Sequence, residues 1–220
     1  MTTMITREIA QKVRDIVDAG LVSGLGSATP GKLCVEAAVC LALDLPHGDD
    51  PGCVAQSLRR LKIRLNDASW SSSKARAAGL RRLAVAQLGS AGVLNDEEFV
   101  GRVVDMTIRH AVPSGLRSAA RVNLQHADAL EAAAVLCEKE GTREAARNGE
   151  RVARAAHYAS AAYAAAASAA DAAAAAAAAS NARTRNRVLA EYAEHVVQIL
   201  IDMKAPGCEY LDLVPLAVAS

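Results

Sequence analysis

From Thr142 to Lys204 the chain carries a single glycine, Gly149, and no proline, and residues 151–180 hold 20 alanines in 30 positions. Alanine has the highest helix propensity of any residue, so this stretch is predicted to be helical even before packing is considered. A chain committed to helix over so long a run is expected to pack helix on helix. The rest of the composition agrees. Hydrophobic residues make up 52% of the chain, but many are alanines, and aromatics are only 3%. A core of Leu, Val, Ile and Ala buries little area per residue, so close helix–helix approach has to compensate.

The periodicity elsewhere is also helical. Ile5, Ile9, Val13, Ile16 and Val17 repeat at helix spacing, with Gly20 as a stop. A glycine-serine loop follows over 20–29. Thr29-Pro30 then reads as a cap followed by proline at the first helical position, predicting a helix over about 31–44. Its LCVEAAVCLAL is apolar nearly all round, the pattern of a central buried helix. Asp50-Pro51 repeats the cap signal before a helix of about 51–65, with Val54, Leu58, Leu61 and Leu65 on one stripe. Further helices are predicted over about 73–88, from Asn95 to about His110 (stopping before Pro113), over 114–121 and over 126–140. Asn95 and Glu98 make a capping-box pair. Only 210–218 carries a weak strand pattern. The expected architecture is all-α: a multi-helix bundle with a long alanine-rich C-terminal helix. Residues 1–141 form the helical core with a polar and basic segment at 46–90, residues 142–205 the long alanine-rich segment, and 206–220 a tail.

Several function classes lose ground on composition. The N-terminal segment lacks the apolar stretch of a signal peptide, and no run is apolar enough for a membrane span, so no membrane association and a cytoplasmic location are expected. Five cysteines (Cys34, Cys40, Cys53, Cys137, Cys208) are scattered without paired spacing and read as reduced thiols. Motifs for a serine nucleophile, a phosphate loop or a dinucleotide fold are missing, which leans against an enzyme. His47-Gly48-Asp49-Asp50 offers an imidazole and two carboxylates. Asp67 is the nearest further ligand, but Asp50 is explained as a cap and Gly48 as a turn, so neither metal nor cofactor is expected.

The strongest local signal is charge. Between Pro51 and Arg82 stand Arg59, Arg60, Lys62, Arg64, Lys74, Arg76, Arg81 and Arg82, opposed only by Asp67, in a chain of net charge +1. The planar guanidinium fork suits phosphate and carboxylate; the alternative is a solvated basic face paired with acidic helices. Inside the segment lies a polar cluster of Asn66, Asp67, Trp70, Ser71, Ser72 and Arg76. Trp70 either stacks on a base or plugs the core. Ser71 and Ser72 either hold an anionic oxygen at a helix start or cap that helix. Gln87, on an apolar face, needs a partner when buried. Arg147, Arg151, Arg154 and Tyr158 share one helix face. The candidate ligand site is therefore Asn66, Asp67, Trp70, Ser71, Ser72, Arg76, Arg81, Arg82, Arg59 and His47.

The alanine tract suits close helix packing, and with it homo-oligomerisation, or a rigid spacer. Ice binding is disfavoured because the tract has no threonine.

The blocks TPGKLCVEAAVCLALDLPHGDDP, LKIRLNDASWSS and GLRRLAVAQLGSAG resemble those of uncharacterised alanine-rich helical proteins of bacteria and phages, over about residues 28–205. The resemblance carries no catalytic residue. It implies an accessory protein of phage or mobile-element origin, acting in the host cytoplasm if phage-encoded. Proteins of that kind often block host defences, some by trapping nucleotide signals between helices. The expected function is a non-enzymatic binder that sequesters a small phosphorylated, nucleotide-like ligand, such as a nucleotide immune signal. The alternatives are nucleic-acid binding through the same basic helices, disfavoured by the near-neutral charge, a helical adaptor for a larger partner, and a nucleotide hydrolase.

Overall fold

A computed structural model describes residues 4–157 and 182–216. The protein is all-α, a multi-helix bundle, and among the described residues no strand forms beyond two isolated bridges, Leu21 with Leu33 and Gly26 with Leu33. The helices are α1 (Arg7–Asp18), α2 (Val35–Ala42), α3 (Gln56–Asp67), α4 (Ser73–Ala86), α5 (Asp96–Met106), α6 (Val112–Val122), α7 (Ala127–Glu140), α8 (Arg143–His157) and the long C-terminal α9 (Ala182–Asp202). A 3-10 segment, Pro206–Leu213, follows α9, where the sequence carried its weak strand pattern. Most of the alanine tract, with Tyr158 and the oligomerisation expected of it, lies outside the described residues.

Two compact units divide the chain, residues 1–100 with 193–220, and residues 101–192. The composition-based division at residue 141 tracks residue content, whereas these units track which helices share a core.

In the first unit α1 packs on α2 and α4, α2 packs on α3 and α4, and the 206–213 segment packs on α1 and α4. The apolar α2 occupies the centre, with every residue buried except Leu41. Local capping starts these helices: Ser72 Oγ accepts from Ala75 N (3.1 Å) and Asn95 Oδ1 from Glu98 N (3.0 Å), both at caps the sequence offered, and Thr6 Oγ1, not singled out by sequence, accepts from Ile9 N (3.3 Å).

Two cap signals end up elsewhere. Thr29-Pro30 lies in a turn, because Lys32 N donates to the Thr29 carbonyl (2.9 Å) and Ser27 N to the Lys32 carbonyl (2.7 Å). The helix waits until Cys34, whose Sγ accepts from Ala37 N (3.3 Å). Asp50 closes its own turn by accepting from Gly52 N (3.1 Å), and α3 begins at Gln56. The start of α3 is capped from a distance instead. Asp96 Oδ1 accepts from Ser57 N (3.2 Å) and from the Ser57 hydroxyl, and Ser90 Oγ accepts from Ala55 N (2.9 Å).

In the second unit α6, α7 and α8 pack mutually. The chain does not stop before Pro113. Proline has no N–H for the bond a regular helix would place there, and the chain widens into a π-helical turn, Thr107–Ala111, in which Val112 N bonds the Thr107 carbonyl. From that turn Arg109 donates to the carbonyls of Glu138 (2.8 Å), Lys139 (3.0 Å) and Glu140 (3.0 Å), capping the end of α7. Gly141, at φ 65°, then turns the chain into α8.

Candidate functional site

The polar cluster between α3 and α4 is a clamp on the loop from Gly20 to Cys34. Asn66 is buried and its side chain is fully engaged: Nδ2 donates to the Val22 carbonyl (2.9 Å) and to Asp67 Oδ1 (2.9 Å), while Oδ1 accepts from Val35 N (3.2 Å) at the start of α2. Asp67 Oδ1 also accepts from Gly24 N (2.7 Å) and Ser23 Oγ (3.4 Å). Arg76, also buried, donates from Nε to the Asn66 carbonyl (2.7 Å) and from Nη1 to the Leu21 carbonyl (3.0 Å). Burial, opposed by the nearby Asp67 charge, pulls its pKa below that of a free guanidinium. A single corner thus holds a loop that lies more than forty residues earlier in the chain. Gly26 completes the seat at φ +74°, where an added Cβ would run into the Lys32 carbonyl.

The expected convergence of arginines and indole on one hollow does not form. Trp70 is 7% exposed, and its Nε1–H donates to the Leu65 carbonyl (2.9 Å), so the indole plugs the core. Ser72 caps α4, and Ser71 is exposed on the same turn. The arginines reach separate acceptors of the chain itself. Arg59 donates to the Asp49 carbonyl (2.5 Å) and carboxylate (2.7 Å) and faces Asp50 at 3.8 Å. Arg81 pairs with Asp18 (2.9 Å). Arg82 pairs with Glu194 (2.9 Å) and donates to the Val214 carbonyl (2.6 Å). Lys74 donates to the Asp18 carbonyl (2.9 Å). The basic segment is in large part internal stapling, the second of the two readings its charge allowed. His47 Nε2 lies 3.3 Å from the Gly26 carbonyl, tying the 45–50 loop to the 20–34 loop. Among the described residues no group of three or more His, Cys, Asp or Glu is arranged to hold a metal ion.

One pair in this region was not singled out by sequence. Lys62 and Glu36 are both 0% exposed, with Nζ 3.0 Å from Oε1. Among the described residues neither makes an aligned hydrogen bond, so this is a close ion pair without further support. Burial pushes the Glu36 carboxyl up and the Lys62 ammonium down, each against the pull of its partner. Burial likewise raises the neighbouring thiols Cys34, Cys53 and Cys40, the last to about 11, leaving them protonated and unreactive at neutral pH. Gln87 is also fully buried, and neither amide atom meets a hydrogen-bond partner among the described residues.

Beside the clamped loop lies a small open recess of about 70 Å³, lined by Gly24, Leu25, Cys34, Val35, Asp49, Ile63, Asn66 and Asp67. Two predicted site residues, Asn66 and Asp67, border it. Trp70 and the arginines do not. Cys34 and Val35 at the start of α2 and Ile63, Asn66 and Asp67 in the C-terminal half of α3 contribute to its lining.

Comparison with protein-family models, with curated proteins and with solved structures finds no match to this chain. Among the described residues no helix is long and apolar enough to cross a membrane.

Proposed function

We propose that the chain is a non-enzymatic helical adaptor, and that the recess between the 20–34 loop and α3 receives a side chain of a partner. The observation that carries this reading is an open, largely apolar hollow whose walls are pinned by buried hydrogen bonds. Loops that bind are those held by a rigid scaffold, and Asn66, Asp67 and Arg76 supply that rigidity. At about 70 Å³ the hollow is far smaller than small-molecule sites, roughly 300–1,000 Å³, and it is not enclosed. It suits a protruding side chain better than a nucleotide. A phosphorylated ligand also asks for cations in the lining, and the lining carries Asp49 and Asp67 instead.

Amide-resolved NMR of the intact chain, titrated with short blocked peptides and with a panel of linear and cyclic nucleotides, tests this reading. Peptides are expected to shift the amide signals of Leu25, Val35 and Ile63, and Leu25→Asp is expected to remove the effect. Response to nucleotides with peptides inert overturns the adaptor reading in favour of nucleotide sequestration.

A further inference from the structure

We infer that the side chain taken up by the recess is a lysine or arginine of the partner, recognised by the second oxygen of Asp67. This rests on the adaptor reading above and adds to it the chemistry of the occupant.

Asp67 is held through one of its two oxygens. Its Oδ1 accepts from Gly24 N, Ser23 Oγ and Asn66 Nδ2, all neutral donors. These bonds hold the carboxylate through one oxygen, and the nearby buried Arg76, which feels its charge, spends its own hydrogen bonds on the Asn66 and Leu21 carbonyls. Among the described residues no ion pair forms on Asp67 and no hydrogen bond reaches Oδ2. An acceptor oriented in advance at the edge of a hollow costs little reorganisation when a cation arrives. The second carboxylate of the lining, Asp49, shares its charge with Arg59, and the lining itself holds no cation.

The apolar part of the lining fits the same occupant. Lys and Arg carry a methylene stem that buries against apolar surface while the charged end finds a polar group. Leu25 and Ile63 provide that surface, with the exposed Asp67 beside it. A free amine would use only the hollow. The surroundings offer more: Leu25 is 42% exposed and Leu45 40% exposed. The His47 contact with Gly26 brings their two loops together, leaving apolar contact area for the chain on either side of the cation. That apolar rim commits the proposal to a partner protein's side chain.

Calorimetry on the intact chain tests it with three blocked hexapeptides that differ at one central position, lysine, norleucine or glutamate, in a leucine-containing context, and with butylamine as the free-amine arm. The lysine peptide is expected to bind at least roughly tenfold more tightly than the norleucine peptide, as for a hydrogen bond to a charged group. Its affinity should fall with added salt, and the glutamate peptide should not bind. Asp67→Asn keeps an acceptor oxygen for Gly24 N and puts an uncharged amide donor where the second carboxylate oxygen stood. It is expected to bring lysine binding down to the norleucine level with an unchanged melting temperature. Equal binding of lysine and norleucine peptides to the unaltered chain overturns the cation assignment and leaves the adaptor reading standing, and that comparison needs no variant to fold. Butylamine binding as tightly as the lysine peptide overturns the commitment to a protein partner. Failure of every peptide to bind removes both readings.

Discussion

Replacing Lys62 with methionine leaves the Glu36 carboxyl buried in the first unit without its paired charge. At an effective dielectric of about 20, unit charges 3.0 Å apart attract by roughly 5.5 kcal/mol, the most the variant can forfeit, since burial already opposes both charges. Part of that loss is offset because the lysine no longer has to be desolvated. The net penalty is bounded by an escape route, since Glu36 can fold as the neutral acid. Starting from an unfolded pKa of about 4.3, holding it protonated at pH 7 costs roughly 3.7 kcal/mol, at 1.36 kcal/mol per pH unit. This agrees with the roughly 3–5 kcal/mol typical of breaking one side of a buried pair. The sign of the pH dependence follows. Above pH 4.3 the unfolded variant releases the Glu36 proton and the folded variant retains it. The deficit therefore shrinks as pH falls, to about 1 kcal/mol at pH 5. Urea unfolding followed by Trp70 fluorescence reads this unit alone, because Trp70 is the sole tryptophan of the chain. Lys62→Met paired with Glu36→Leu should recover most of the loss and abolish its pH dependence. A single variant as stable as the parent at pH 7, or a deficit identical at pH 5 and pH 7, would refute the reasoning.

Three further outcomes follow from the geometry. Trp70 fluorescence should be blue-shifted and shielded from acrylamide, and Trp70→Phe, which orphans the Leu65 carbonyl, should cost about 1–3 kcal/mol in urea unfolding. Gly26→Ala forces a Cβ toward the Lys32 carbonyl at positive φ, so hydrogen exchange should quicken across 21–33, with the local opening energy lowered by more than about 1 kcal/mol. Hydrogen bonds from Arg117 hold the Glu138 carboxyl below the usual carboxylate range. Its contribution to α6–α7 packing is complete above the ordinary carboxylate pKa and is lost as pH falls through the lowered folded value. Glu138→Gln should flatten that acid limb while costing under about 1 kcal/mol at neutral pH, since both partners are partly exposed.

Much of the fold was legible because it is local. The apolar run around Cys34–Leu43 marks the central helix, and Ser72 and Asn95 mark helix starts through bonds only three residues long. Thr29-Pro30 and Asp50-Pro51 carry the same local chemistry, but in each case a nearby turn takes it up. Pro113 suggested a break, and a π-helical turn accommodates it. The polar cluster at 66–76 was visible as a cluster. Its purpose was not, because the partners of Asn66 and Arg76 lie 44 and 55 residues away. The arginines misled for the same reason, since Asp18, Asp49 and Glu194 cannot be matched to them from spacing. The buried pair did leave a trace. Lys62 falls between Leu58 and Leu65 on the apolar stripe, and Glu36 is the one charge inside an apolar helix.

The first unit is assembled from both ends of the chain. Arg7 pairs with Asp212, Tyr210 Oη–H donates to the Ile5 carbonyl (3.1 Å), and Arg82 reaches Glu194 and Val214. On a ribosome the intervening residues emerge whole while these closing groups are still unmade. The 101–192 unit thus has α6, α7 and α8 available first, and the other stays open until residues 194–214 have been made. A nascent chain arrested before residue 193 should consequently expose its first hundred residues to proteases while α6, α7 and α8 are already protected.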